Sequence, residues 1–427
     1  MENRLALEAL LRPMNRRRIL VLSSSHLCRN PRVFKEARTL GQAGYDVSVM
    51  SVSVRRDFES LDQEMMEGQP FRRVVLDYVS PAAPRQAAAF LQRAATWAAR
   101  RACGTFGWES AQALGPALAL RHAARQFSAD LTIVHTEIPT WIARFLVRDG
   151  RRVAIDVEDW YSEDLLAEDL RTRPVRLLRR AEDFALNHCL YASVTSERMA
   201  DALVAAYRCP RPIVLRNSFP LQPRTRPDSA GRSPSPVFIW FSQTIGPGRG
   251  LEAFLAAWAE TKNPSQVILL GHDRPGYRAH LLGRLPEQRR ADVSFRAPVK
   301  PDELPAELAN HDVGLALEPA LPRNKDVTIS NKVFQYLNAG LALVATPTAG
   351  QQEIMHAAPG CGLVIDPSDP RAVARQLDAL LGDPDRLRAM QVASRHAAER
   401  ELSWEHDSRR LLAAVADALS PHPPTID

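Results

Sequence analysis

The chain has 427 residues, 45% of them hydrophobic and 24% charged, and carries a formal charge of +6, which fits a soluble globular protein of two domains and excludes global disorder. Its five cysteines are odd in number and lack any CxxC or Cys/His spacing, so a disulfide framework and a zinc site are both excluded, and a reducing compartment is expected. No apolar run approaches the roughly 18 residues that span a bilayer, and no basic run interleaved with aromatics suggests nucleic acid, so the expected location is the cytoplasm, with the inner face of a membrane as a second option.

Residues 1–15 read as a short helical appendage broken by Pro13. A strand follows at Ile19–Leu22, then the polar loop SSSHLCRN, a helix opened by Pro31 and a second strand at Val47–Val52. This is how a Rossmann-like domain opens, yet the loop lacks the glycines that a bound dinucleotide requires. The stretch Pro84–Trp108 is rich in alanine and arginine, with Phe90, Leu91, Trp97 and Phe106 among Arg93, Arg100 and Arg101. It reads either as a helix lying on a membrane surface or as a helix packed on the sheet with its arginines outward. Arg171–Arg180 invites the same two readings.

Buried strands at Leu131–Val134 and Val153–Val157 end in His135, Thr136, Glu137 and in Glu158, Asp159. Two successive strand ends therefore bring His135, Glu137, Glu158 and Asp159 to one rim, the clustering that general acid/base work needs. Asp156 alternates toward the sheet interior and is expected to hold neighbouring backbone. No Asp-x-Asp supports a catalytic Mg²⁺, so no metal is expected. IVLRNSFP then leads to QPRTRPDSAGRSPSP, whose Pro, Ser and Arg mark a linker.

The second half opens with a strand at Val237–Phe241 and the loop SQTIGPGRG. Gly246, Gly248 and Gly250 free the backbone there, and Arg249 stands just before a helix, an arrangement suited to an anion. Strands follow at Val267–Gly271 and Val293–Phe295. Val313–Leu317 is a short apolar run suited to a strand buried on both faces, and it leaves Glu318 at its carboxyl end. Ser330 then reads as the N-cap of a helix over Asn331–Ala339, with Ile329 and Phe334 as a hydrophobic staple and Gly340 as the stop. Free amides at that helix start, with Lys332, suit a phosphate.

The segment SNKVFQYLNAGLALVAT resembles the nucleotide-sugar-binding segment of retaining family-4 glycosyltransferases. With the run Arg29, Asn30, Pro31, Arg32, Val33, Lys35, the IVLRN exit and GQQEIM, the resemblance covers the chain from Arg18 to about Trp404. It implies an α/β chain of GT-B fold, two Rossmann-like domains facing across a cleft. The expected domains are 16–218 for the acceptor and 237–402 for the nucleotide sugar, joined by a linker at 219–236 and followed by a helix and tail at 403–427 that cross back to the first domain.

The same resemblance implies site residues. His26 and Arg29, with Glu137 and Glu158, would meet the acceptor. Gln243, Thr244, Gly246, Gly250, His272, Pro298, Glu318, Ser330, Asn331 and Gln335 would meet the donor. Arg249 and Lys332 would offset charge on the departing diphosphate, and His135 or Asp159 would orient the attacking hydroxyl. Two departures stand out: one of the two basic residues expected in the glycine-rich loop is missing, and the glutamates usual at eight-residue spacing fall on Val327 and Gln335. The expected activity is retaining, metal-independent transfer of a hexosyl group from a nucleotide-diphosphate sugar to a hydroxyl of a glycan, lipid-linked or small-molecule acceptor, with no other cofactor. A binding-only partner protein and a nucleotide-sugar 2-epimerase are the alternatives.

Overall fold

The computed structural model describes residues 16–80, 83–223 and 235–421, so the appendage at 1–15, most of the linker and the last six residues lie outside the described residues. Two compact units result: Met1–Ser193 with Tyr207–Ile213 and Arg410–Asp427, and Val194–Ala206 with Val214–Arg409.

A seven-stranded sheet organises the first unit, in the order β3-β2-β1-β4-β5-β6-β7. Its strands are β1 (Arg18–Leu22), β2 (Asp46–Ser53), β3 (Arg72–Asp77), β4 (Leu131–Val134), β5 (Val153–Val157), β6 (Ala192–Val194) and β7 (Ile213–Val214). β1 pairs in parallel with both β2 and β4. Its Ile19, Leu20, Val21 and Leu22 are wholly buried, as expected of a strand covered on both faces. The helix Pro31–Gln42 starts where proline costs no hydrogen bond, and the Asn30 side chain accepts from the Val33 amide as its cap. Because the strand order reverses at β1, the loops after β1 and β4 flank the position where open α/β sheets bind ligands.

The second unit has six strands in the order β10-β9-β8-β11-β12-β13, and every adjacent pair is parallel. They are β8 (Val237–Ile245), β9 (Gln266–Asp273), β10 (Val293–Arg296), β11 (Val313–Ala316), β12 (Ala342–Ala345) and β13 (Gly362–Val364). Alternation along β8 builds two cores: Phe238 and Trp240 face one, Val237 and Ile239 the other. Here the order reverses at β8, so the loops after β8 and β11 flank the equivalent position.

β8 runs four residues past the end expected from sequence. An irregularity after Phe241 lets it rejoin β9, with Thr244 opposite His272. Gly314 in β11 is required by a close approach, since a Cβ there would lie 2.2 Å from the Tyr336 ring. The described start of the linker is not free chain. Phe219 accepts from the Trp404 amide at 3.0 Å, and the Gln222 amide donates to Asn338 Oδ1 at 3.1 Å. Within the first unit, Arg152 donates to the carbonyls of Ala418 and Ser420 near the end of the helix Trp404–Leu419.

Candidate functional site

At the carboxyl ends of β1, β4 and β5 lies a dense charge network. His135 is wholly buried, with Nδ1 2.8 Å from Glu158 Oε1 and Nε2 3.1 Å from Glu36 Oε2. Burial alone would lower the imidazole pKa, but Glu36 and Glu158 outweigh it and lift it to about 10. The ring is therefore a cation at neutral pH. Arg32, also buried, donates to both oxygens of Asp156 at 2.7 and 2.6 Å, and Ser193 Oγ adds a third bond at 2.7 Å. Burial would raise the Asp156 carboxyl, yet Arg32 and His135 hold it below the usual carboxylate range. Asn30 Nδ2 donates to both oxygens of Glu158 at 2.8 Å.

These contacts correct several expectations. His135 has no lone pair for an acceptor hydroxyl, because a buried imidazolium held between two carboxylates cannot act as a base. Glu158 spends both oxygens on Asn30 and His135. Asp156 holds a guanidinium rather than backbone. His26 is buried too: Nδ1 meets Asp62 Oδ2 at 2.8 Å, while Nε2 accepts from the amides of Val54 and Arg55. Its ring is committed within the unit. Arg29 is exposed, its guanidinium 5.2 Å from the Phe58 ring centroid.

Two trios have metal-ligand composition, Glu36/His135/Asp156 and His26/Glu59/Asp62. Each already contains an arginine: Arg32 on Asp156, and Arg73 on Glu59 at 2.9 Å and on Asp62 at 2.8 Å. A metal ion would have to displace those guanidinium groups, so neither trio fits one.

Glu137 and Asp159 remain partly exposed. Glu137 opens the helix Glu137–Arg148 directly after Thr136, whose φ of 63° is strained for a β-branched residue. The bend is pinned by the Ser24 amide, 3.0 Å from Thr136 Oγ1. Arg173 lies 3.4 Å from Glu137 and 3.2 Å from Asp164. Burial raises the Glu137 carboxyl against the pull of Arg173, and it lifts Asp164 to about 7. Sequence reasoning missed Thr136, Asp164 and Arg173; no local pattern announces a strained threonine.

In the second unit the functional side chains gather at the ends of β8 and β11. Glu318 accepts from Ser330 Oγ at 3.0 Å and from Lys332 Nζ at 2.7 Å. Burial would raise this carboxyl, but Lys332 keeps it below its usual range. Thus Ser330 occupies the N-cap position of the helix Asn331–Ala339, yet its hydroxyl turns to Glu318 and makes no capping bond. The contrast with the next helix, Ala349–Ala357, is direct: Thr348 caps its Gln351 amide, and Asp326 accepts from Ala349. One helix start is closed by side chains, and the other has no side-chain cap.

Lys325, on the short helix Arg323–Val327, was not anticipated. Its pKa is lowered by burial, with Arg249 and Lys332 adding to the shift and Glu318 opposing it. Lys325 and Lys332 thus both act on the Glu318 carboxylate, and Arg249 acts on Lys325, so cations outnumber that carboxylate. The cation missing from the glycine-rich loop is thus matched by a lysine reaching in from the β11 loop. Only the surrounding fold could reveal it, because residues 318–324, which separate Lys325 from the apolar run ending at Leu317, carry no periodic pattern.

The other expected donor residues scatter more widely. Gln243 and Thr244 stand on β8 itself, exposed, and His272 is exposed on β9. Gly246 is buried against Arg274. Gly250 has a φ of 72°, and a Cβ there would meet the Leu317 carbonyl oxygen at 3.1 Å, so the loop must carry glycine where it passes β11. Pro298 is half-buried after β10, Asn331 is exposed at the helix start, and Gln335 follows it one turn on. Glu353, in the GQQEIM segment, is held by Arg216 at 3.0 Å and by the Arg198 amide at 3.2 Å.

Residues 253–413 match the family model described as glycosyl transferase-like. A GDP-mannose-dependent monoacylated alpha-(1-6)-phosphatidylinositol monomannoside mannosyltransferase of Corynebacterium glutamicum is 28% identical over 183 residues, 42% of this chain and 46% of that protein. The match thus spans less than half the length of that curated relative. Among solved structures, Anabaena HepE in complex with UDP aligns with a TM-score of 0.66 at 15% identity, covering 93% of this chain and 99% of the other. Sucrose-phosphate synthase from Thermosynechococcus elongatus gives 0.65 at 14%, covering 95% and 100%. Both units therefore follow the two-sheet plan shared by these proteins.

Proposed function

We propose that this chain, which has the GT-B fold of the glycosyltransferases and whose residues 253–413 belong to the glycosyl transferase-like family, is a retaining enzyme that moves a sugar from a nucleotide-diphosphate donor to a hydroxyl acceptor. The observation that carries the reading is the Glu318–Lys332 pair at 2.7 Å beside a helix start without a side-chain cap, with Lys325 and Arg249 adding positive charge. A diphosphate is the anion whose charge and reach suit that arrangement.

In this reaction the bond from the sugar's anomeric carbon to the diphosphate breaks. The acceptor oxygen bonds to that carbon on the same face, and the hydroxyl proton passes to the departing phosphate oxygen. Arg249, Lys325 and the amides at Asn331 and Lys332 stabilise the charge that develops on the leaving group. Glu318, aligned by Ser330 and Lys332, accepts hydrogen bonds from sugar hydroxyls, and Gln335 holds the ribose. Glu137 and Asp159 orient the acceptor. No metal ion is required, since the side chains and helix amides supply the positive potential. The named substrates of the relatives, GDP-mannose with an acylated phosphatidylinositol mannoside in one and UDP in another, favour a purine or uridine diphosphate sugar and a glycan or lipid-linked acceptor in the cytoplasm.

Gln335, where the resemblance leads one to expect a carboxylate, favours a second reading in which the site binds nucleotide without turnover. Thermal shift and diphosphate release across UDP-, GDP- and other nucleotide sugars separate the two. Stabilisation with release is the expected result, stabilisation without release in the presence of acceptors supports the second reading, and no stabilisation by any donor removes both.

A further inference from the structure

The helix Ala83–Phe106 belongs to the first unit and carries its apolar side chains outward. Phe90, Leu91 and Trp97 are 65%, 66% and 68% exposed, whereas Ala89 and Cys103 on the opposite side are buried. Phe90, Ala94, Trp97 and Arg101 follow one another at helical spacing, with Leu91 and Ala98 alongside, and all are exposed. Beyond the helix end, Phe106 and Trp108 are exposed with ring centroids 5.3 Å apart. An outward face of this kind needs a covering partner, because exposed aromatic patches of this extent are uncommon on a monomer in water.

Charge identifies the partner. From Ala83 to Phe106 there is no acidic residue, while Arg93 and Arg101 are exposed and Arg100 anchors to the Ala113 carbonyl at 2.8 Å. The basic segment Arg171–Arg180 packs beside the end of this helix: Cys103 Sγ meets the Arg173 carbonyl at 3.4 Å, and Arg176 donates to the Gly107 carbonyl at 2.7 Å. Arg171, Arg176, Arg179 and Arg180 are exposed there. The adjoining acids Glu109 and Glu163 are already paired with Arg176 and Arg179; exposed Glu168 and Asp169 precede the arginines. A second copy of the same face would bring arginines against arginines. A lipid surface with anionic headgroups instead accepts both the aromatic side chains and the arginine heads.

We propose that this face, formed by the outward stripe of Ala83–Phe106, the Phe106/Trp108 pair and the neighbouring arginines, docks on an anionic bilayer surface. The aromatic rings enter the headgroup boundary while the helix lies along it. No helix among the described residues is long and apolar enough to cross a membrane, so the contact is peripheral.

Sedimentation of the full chain with vesicles tests this. Association with vesicles containing phosphatidylglycerol, weak association with phosphatidylcholine alone, and release by salt are expected. The triple variant Phe90→Ser, Leu91→Ser, Trp97→Ser should lower partitioning on the order of a hundredfold with an unchanged melting temperature, since all three side chains are exposed. The pair Arg93→Glu and Arg101→Glu should weaken binding to the anionic vesicles alone, on the order of tenfold. Absence of vesicle association, equal binding to both lipids, or undiminished binding of the triple-serine variant overturns the proposal. So does a lipid-free dimer that the serine variant dissociates and that does not bind vesicles.

Discussion

Two clusters of charge sit at equivalent positions of the two sheets, and they are put to opposite uses. In the first unit Arg32, Glu36, His135, Asp156 and Glu158 form ion pairs with one another, all but the partly exposed Glu158 buried, and Glu36 Oε1 is left without a hydrogen-bond partner. In the second, Lys325 and Lys332 act on one carboxylate with Arg249 beside Lys325, and Ser330 withholds its hydroxyl from the helix start. A network of buried charges closed on itself holds a fold together, whereas an excess of one sign attracts an ion that is not part of the chain. Residue type alone does not distinguish them; the count of partners does.

The largest effect is expected from removing one member of the closed set. Replacing Arg32 by Met leaves Asp156 buried without its cation, and such losses cost about 3–5 kcal/mol. Chemical denaturation should register that loss in full, while nucleotide affinity measured on the folded fraction stays unchanged. In the second unit, Arg249→Ala should do the reverse. Turnover is expected to fall on the order of a hundredfold to a thousandfold, with the unfolding midpoint unchanged or raised as like charges are relieved. Near-normal turnover by Arg249→Ala would remove that residue from the site.

A pH titration sharpens the same contrast. The His135 pKa is raised from 6.5 unfolded to about 10 folded, so its contribution is fully present below pH 6.5 and is lost as pH climbs toward 10. The folded chain binds the extra proton in that window, so stability falls with rising pH by up to about 1.4 kcal/mol per unit. His135→Gln should be less stable at neutral pH and should lack this part of the slope. An identical slope in the variant would show that the imidazole is not the cation described here.

How much of this was legible in the sequence follows the same division. Apolar runs such as Ile19–Leu22 and Val313–Leu317, and stops such as Gly340, speak through local periodicity, so these strands, the helix Asn331–Ala339 and the GT-B resemblance could be read directly, whereas the half-buried edge strand β3 (Arg72–Asp77) was not read. Glu318, Ser330 and Lys332 were legible as a site because strand end and helix start lie close in sequence. His26, His135 and Glu158 looked functional for the same reason, being polar residues at strand ends. Their actual partners, Asp62, Glu36 and Asn30, are between 36 and 128 positions away, and no local pattern reports whether a polar group has found one. Lys325 lies between Glu318 and Lys332 in sequence, but it escaped notice because nothing local reports which way the short helix Arg323–Val327 turns it or that distant Arg249 acts on it.

The smallest expected effect concerns the hydroxyl that links the two roles of the β11 loop. Ser330→Ala deletes one bond to Glu318 but leaves the Lys332 pair at 2.7 Å, so the folded chain should lose only about 1 kcal/mol. Ser330→Asp places a carboxylate where it can cap the free amides, as Asp383 and Asp369 do for their own helices. That variant also loses the bond to Glu318 and sets a second carboxylate beside it, so the cap and the helix dipole should offset that cost and leave the melting temperature little changed, while the new carboxylate competes with a ligand phosphate for the same amides and cations. Little change in stability accompanied by a weaker thermal response to nucleotide is the expected pair of results. If nucleotide still stabilises Ser330→Asp as strongly as it does the parent chain, the start of the Asn331 helix is not where the phosphate binds.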